Sequence, residues 1–248
     1  MTRYLLSLGL MLMTSLAYSQ TSLATIESLS KVDSADYFLQ KGLVEKQNGR
    51  RLESLKNFEK AIRYDENSLA INTELAQAYL DLRRYALARE TFLKLVRMGD
   101  ETAANFKQIL TLSFQLKQKD DVLLYANKLK KADPSEKVAY YIGRIHYEND
   151  NYGEAIKYLN EAIKEDPTNA DAPYMIAHSY SDMMNYKLAV PYFKQAIELK
   201  PNESYWIYEL SLIFYAMNND KDALKYMLEA GEKGLKRDND YLENLAIA

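Results

Sequence analysis

The stretches NYGEAIKYLNEAIKEDPTNA, from Asn151, and NYKLAVPYFKQAIELKPNES, from Asn185, are two copies of one pattern set 34 residues apart. Tyr152, Ala155, Ala162 and Pro167 align with Tyr186, Ala189, Ala196 and Pro201, each pair at the same offset. A fixed offset held over a whole segment restricts a chain to architectures of stacked, similar units. Extended both ways, the frame gives six units, 35–68, 69–102, 103–135, 136–169, 170–203 and 204–238. The remaining 239–248 reads as the start of a seventh unit or as a capping helix. Ile142, Ile145, Ile156, Leu159 and Ile163 recur at three- and four-residue steps, the helical period. Each unit therefore reads as two helices with a short turn between them. Gly143, Ala155 and Ala162 are small enough to let those helices cross closely. Pro167 and Pro201 end the second helix, because proline disfavours helical geometry in the residue before it. Such a hairpin cannot bury its apolar face alone, so neighbours stack into an all-α solenoid.

The pattern resembles the tetratricopeptide repeat (TPR). The fifth unit carries Ile176, Ala177, Tyr180, Tyr186, Ala189, Phe193, Ala196 and Pro201 at that family's characteristic places. The fourth carries Ile142, Gly143, Tyr152, Ala155, Ala162 and Pro167, with His146 where tyrosine is usual. The second matches through Leu75, Ala76, Tyr79, Tyr85, Ala88 and Phe92. The third is the poorest, with Leu110, Ser113, Val122 and Leu129 departing from the pattern, and it is one residue short because Pro134 and Pro167 lie 33 apart. Its missing small residues predict the softest part of the array.

The resemblance implies a right-handed superhelix whose concave face is lined by the first helix of each unit. It also implies a scaffold for protein–protein interaction rather than an enzyme, holding an extended peptide or a helix of a partner in the groove. The alternative is the docking part or accessory subunit of a larger envelope enzyme, sensor or secretion assembly. At the concave positions stand Tyr140, Arg144 and Tyr147 in the fourth unit, Tyr174 and His178 in the fifth, and Tyr205, Tyr208 and Tyr215 in the sixth. The first two units place Asp36, Leu39, Leu43, Lys46, Thr73, Gln77 and Leu80 there instead. Tyrosine joins a large apolar area to a hydroxyl, which is why interfaces favour it. Tyrosine at such positions also serves packing in this family. The groove reading expects Tyr174 and Tyr208 to be anchors whose removal leaves the fold nearly intact. The basic clamp with which some relatives grip a C-terminal carboxylate is absent, since Leu39, Leu43, Glu74, Ala104 and Gln108 occupy its places.

Composition narrows the chemistry. The net charge of −3, from 32 basic and 35 acidic residues mixed along the chain, leaves no basic stripe for a nucleic-acid backbone. There are no cysteines, which excludes disulfides, thiolate metal sites and a lipid-bearing cysteine. The two histidines, His146 and His178, have no third ligand at a metal spacing, and no phosphate-binding loop or nucleophile elbow occurs. No cofactor, metal or catalytic residue is expected.

The opening MTRYLLSLGLMLMTSLAYSQ differs in kind. Arg3 precedes an apolar run that ends at Ala17-Tyr18-Ser19, the small-residue pattern of a signal peptide over 1–19 cleaved before Gln20. The run is shorter than the roughly 20 residues of a spanning helix. A linker is expected over 20–34, and the mature protein is expected to be periplasmic or secreted, in a Gram-negative type of envelope. Leu245 and Ala246 fall at repeat positions, so the sequence either continues in nature or ends on a makeshift cap.

Overall fold

The computed structural model of the protein describes residues 30–247. The signal-peptide assignment over 1–19 and the linker up to residue 29 lie outside the described residues. Thirteen α-helices and no strand occur among the described residues. They are α1 (30–47), α2 (Arg51–Tyr64), α3 (Leu69–Asp81), α4 (Tyr85–Arg97), α5 (Ala103–Gln115), α6 (Lys119–Ala132) and α7 (Ala139–Tyr147). There follow α8 (Tyr152–Glu165), α9 (Asp171–Asp182), α10 (Tyr186–Leu199), α11 (Ser204–Ala216), α12 (Asp220–Glu232) and α13 (Asn239–Ile247). Residues 30–34, expected as linker, already belong to α1, where the Ser34 hydroxyl donates to the Ser30 carbonyl. No glycine or proline there interrupts the helix.

The chain divides into two compact units, Met1–Leu112 and Ser113–Ala248, with the division inside α5. In the first, α2 packs on α3 and α3 on α4. Leu55, Phe58, Leu75 and Ala78 form its core, with Leu39 and Leu43 of α1 laid against them. In the second, each helix from α6 onward packs on the next in sequence, and α7 also meets α9. Its core is built from Ala139, Ala155, Leu159, Ala162, Ala172, Met175 and Ile176, then from Ala177, Ala189, Phe193, Leu210, Ile213, Phe214 and Ala223. Ala155, Ala162, Ala189 and Ala196 are all buried. At Gly143 a Cβ would stand 3.0 Å from the backbone nitrogen of Leu159, so the α7–α8 crossing admits only glycine without a shift. The third unit's larger residues Leu110, Val122 and Leu129 are buried as well.

The turns inside the hairpins share one backbone solution. Gly49, Arg83, Lys117, Asp150, Met184 and Asn218 all have left-handed φ, between 54° and 73°. Each donates its N–H to the carbonyl three residues back, while the next residue reaches the carbonyl five back, as in Asp150 to Tyr147 and Asn151 to His146. That pair of bonds closes a helix with its last carbonyls satisfied. The left-handed residue steps by 34 throughout, except for the 33 between Lys117 and Asp150.

The shortfall is taken from α7 rather than from the loop before it. The loop runs 133–138, and the helix starts only at Ala139. It has nine residues, against 12 or 13 in α3, α5, α9 and α11. Val138 supplies no side-chain cap, and the Glu165 carboxylate from the end of α8 accepts the Ala139 N–H at 3.1 Å instead. Lys130 holds the other Glu165 oxygen at 3.3 Å and donates to the Glu136 carbonyl. Pro191 lies in the second turn of α10, exposed, with the helix continuous from Tyr186 to Leu199. Having no N–H, it deprives the Lys187 carbonyl of its normal donor. Pro173 sits in the first turn of α9, where the missing N–H is harmless.

Candidate functional site

The positions expected to line the groove in the second unit belong to α7, α9 and α11. Each helix commits one set of residues to the core, and the tyrosines at these positions are left half-buried or exposed. Glu209 of α11 organises the centre. Its two oxygens receive the Tyr174 hydroxyl at 2.9 Å and His178 Nε2 at 2.8 Å, both from α9 one repeat earlier. The Tyr174 ring stacks on Trp206 at 4.5 Å between centroids and meets Phe193 edge-on at 6.1 Å. Tyr147, from α7, meets the His178 ring edge-on at 6.3 Å. Three successive repeats thus contribute to one cluster.

The charge of Glu209 is felt by Tyr174, Tyr147, Tyr205 and His178. Burial, and then the neighbouring carboxylate, push the Tyr174 phenol far above its ordinary value. Burial, with Asp182, Glu209 and Asp150 nearby, pushes Tyr147 up to about 12. Glu209 raises Tyr205, and its hydrogen bond holds the His178 imidazolium above its ordinary value against the opposing effect of burial. These phenols stay neutral donors at any physiological pH.

A second group gathers around Arg144. It donates to Glu148 at 3.0 Å and to the Tyr140 hydroxyl at 3.3 Å, and lies 5.1 Å over the ring of Phe114. Phe114 in turn touches Tyr141 edge-on at 4.9 Å and Tyr140 at 6.3 Å. Tyr205 and Tyr208 lie 6.3 Å apart, and the Tyr208 hydroxyl accepts from Asn244 of α13 at 2.8 Å. Tyr205 is 56% exposed and Tyr215, near the C-terminal end of α11, is 42% exposed.

Of the eight sequence-derived groove residues, the structure joins Tyr147, Tyr174 and His178 in one cluster, Tyr140 and Arg144 in another, and Tyr205 with Tyr208 in a third. Tyr215 stands apart from them. One expectation is corrected. Tyr174 packs against both core clusters of this unit besides bonding Glu209, so its removal will lower stability. Tyr208 is likewise tied to α13 by its hydroxyl. Sequence reasoning missed Trp206, Glu209 and Phe114. The chain's one tryptophan was a visible signal, whereas Glu209 matters only through partners 31 and 35 residues away.

In the first unit the corresponding positions are aliphatic and polar. Lys46 pairs with Glu74 at 2.7 Å, and Gln77 donates to Asp81 at 2.7 Å. No group of three His, Asp or Glu side chains among the described residues could hold a metal ion. No helix among them is long and apolar enough to cross a membrane.

Comparison with known proteins agrees with this architecture. A family model described as "Tetratricopeptide repeat" matches residues 39–103 and 174–234, together just over half of the chain. Another, described as "Anaphase-promoting complex, cyclosome, subunit 3", matches residues 115–196. No curated protein sequence gives a significant match. Among solved structures, YrrB, described as a TPR protein with an unusual peptide-binding site, superposes with a TM-score of 0.58 at 19% identity, over 68% of this chain and 88% of its own. The C-terminal part of a TPR repeat-containing protein from Cytophaga hutchinsonii gives 0.61 at 20% identity, over 79% and 78%. The pilF protein of Pseudomonas aeruginosa gives 0.57 at 15% identity, over 88% and 100%. At these identities the likeness is one of fold. With the repeat model matched at both ends of a tandem helix-hairpin array, the chain belongs to the tetratricopeptide repeat family.

Proposed function

We propose that the protein is a non-enzymatic interaction scaffold that holds an extended peptide or a helix of a partner protein against α7, α9 and α11. The observation that carries this reading is the pairing of a fixed floor with free rings. Tyr174, His178, Trp206 and Glu209 are locked by mutual bonds and stacking, while Tyr205 on the same helix as Trp206 and Glu209, and Tyr215 further along that helix, remain exposed. A surface already ordered before binding loses less side-chain entropy on association, and exposed tyrosines on it supply apolar area with a hydroxyl. YrrB, with its peptide-binding site, offers a precedent on the same fold.

Photo-crosslinking tests the reading. A benzophenone amino acid at position 205 or 215 should give a partner adduct, and one at the exposed second-helix positions 161 or 198 should not. Adducts only at 161 and 198 would overturn it. The alternative, a docking part of a larger envelope assembly, draws on a second surface. Met183, Met184 and Leu188 are exposed, and a cleft of about 310 Å³ runs from Met184 to Leu188 and across to Met217. A crosslinker at 184 that captures a protein different from the one captured at 205 would favour it. Export belongs to the same proposal and rests on the apolar run ending at Ala17-Tyr18-Ser19. Protein recovered from the exporting cell should begin at Gln20, and an intact Met1 would contradict it.

A further inference from the structure

His178 occupies a place that a packing or contact residue does not need. Its Nε2 faces Glu209 Oε1 of α11 at 2.8 Å, and its Nδ1 faces Asp182 Oδ2, one turn along α9, at 3.8 Å. Nδ1 is screened from solvent and has no hydrogen-bond partner. The ring is enclosed by Tyr147 of α7, Tyr174 of its own helix and Phe193 of α10. The charged groups that face it are therefore Glu209 and Asp182, with the phenols of Tyr147 and Tyr174 as the other titratable neighbours.

We propose that His178 is a proton-operated clasp between the fifth and sixth repeats, closed when the imidazolium lies between Glu209 and Asp182 and loosened when it loses its proton. Both ring nitrogens of the charged form are donors, and each then has a carboxylate in front of it. The neutral form keeps one N–H. With that proton on Nε2 the Glu209 bond survives, but the Nδ1 lone pair is left pointing at Asp182; with it on Nδ1 the Glu209 bond is lost. Either way, deprotonation removes the ionic attraction of His178 for Glu209, the charge-dependent part of the contact between α9 and α11. Because Glu209 also receives Tyr174, and Tyr174 stacks on Trp206, the clasp controls how firmly the aromatic floor is set.

The direction in pH follows. The folded protein holds this proton more tightly than the unfolded chain, whose histidine has the ordinary value of 6.5. The added stability is therefore fully present below about pH 6.5 and is lost as pH rises through the folded value. This goes beyond partner binding and is measured without a partner.

The chain contains only two histidines, so an NMR pH titration of the full chain reads both, with His178→Gln identifying which signal is which. The His178 midpoint should lie above 6.5 in the wild type and fall in Glu209→Gln. A midpoint one pH unit higher means a proton held about tenfold more tightly by the folded state. Thermal unfolding provides a second reading. The difference in Tm between wild type and His178→Gln should be largest near pH 6 and shrink by pH 9. A wild-type midpoint at or below 6.5, or a Tm difference unchanged with pH, would overturn the proposal. Neither result bears on whether the groove binds a peptide.

Discussion

Met184 is held at φ 57° and is 76% exposed, a conformation that L side chains resist at a place where the side chain buries little. The left-handed conformation costs a non-glycine residue roughly 1–2 kcal/mol, and glycine's extra freedom when unfolded returns only part of that. Met184→Gly is therefore expected to raise stability by about 0.5–1 kcal/mol in chemical denaturation, as the natural Gly49 at the equivalent turn suggests. A loss of stability would show that the methionine makes contacts in the turn. This feature was not legible in the sequence. Glycine, arginine, lysine, aspartate, methionine and asparagine all fill the position, because the two turn hydrogen bonds impose the backbone angle whatever the side chain. The groove tyrosines were legible as positions but not as partners. Nothing in the local pattern at Tyr174 signals that its hydroxyl ends on Glu209, 35 residues later.

At the level of the helices, the crossing of α7 on α8 sets the tightest condition. Gly143→Ala would place a methyl 2.8 Å from Leu159 Cγ and 3.0 Å from its backbone nitrogen. The side chain can turn away, but the backbone can yield only by moving the two helices apart. A loss of about 1–3 kcal/mol is expected. Gly153→Ala makes the control, since a Cβ there meets nothing within 4 Å, and it should be neutral or slightly stabilising through helix propensity. Equal losses at both sites would mean that helix packing is not what selects glycine at 143. The period and the small crossing residues made this hairpin readable from sequence. The shortened repeat was readable too, but not its consequence. That the shortened repeat delays α7 until Ala139 and brings in Glu165 as a substitute cap depends on where the end of α8 lies.

Across the whole chain, the division between the two compact units falls inside α5, in the repeat that departs furthest from the family pattern. In a repeat array stability is carried largely by neighbouring interfaces, so opening should begin where the pattern is weakest. Hydrogen exchange is expected to be faster over residues 103–133 than over 170–200, and the reverse order would contradict this. The second unit carries the aromatic cluster, and there the account separates two kinds of tyrosine. Tyr174 is part of the fold, so Tyr174→Ala should lower Tm along with any effect on binding. Tyr205 and Tyr215 are exposed, so Tyr205→Ala and Tyr215→Ala should leave Tm unchanged. The most direct measurement is the affinity of these two variants for the partner captured by crosslinking at the other of the two positions. The account predicts a loss of about 1–3 kcal/mol of binding for each, at wild-type Tm. Wild-type affinity in both variants would contradict the assignment of this face as the binding surface.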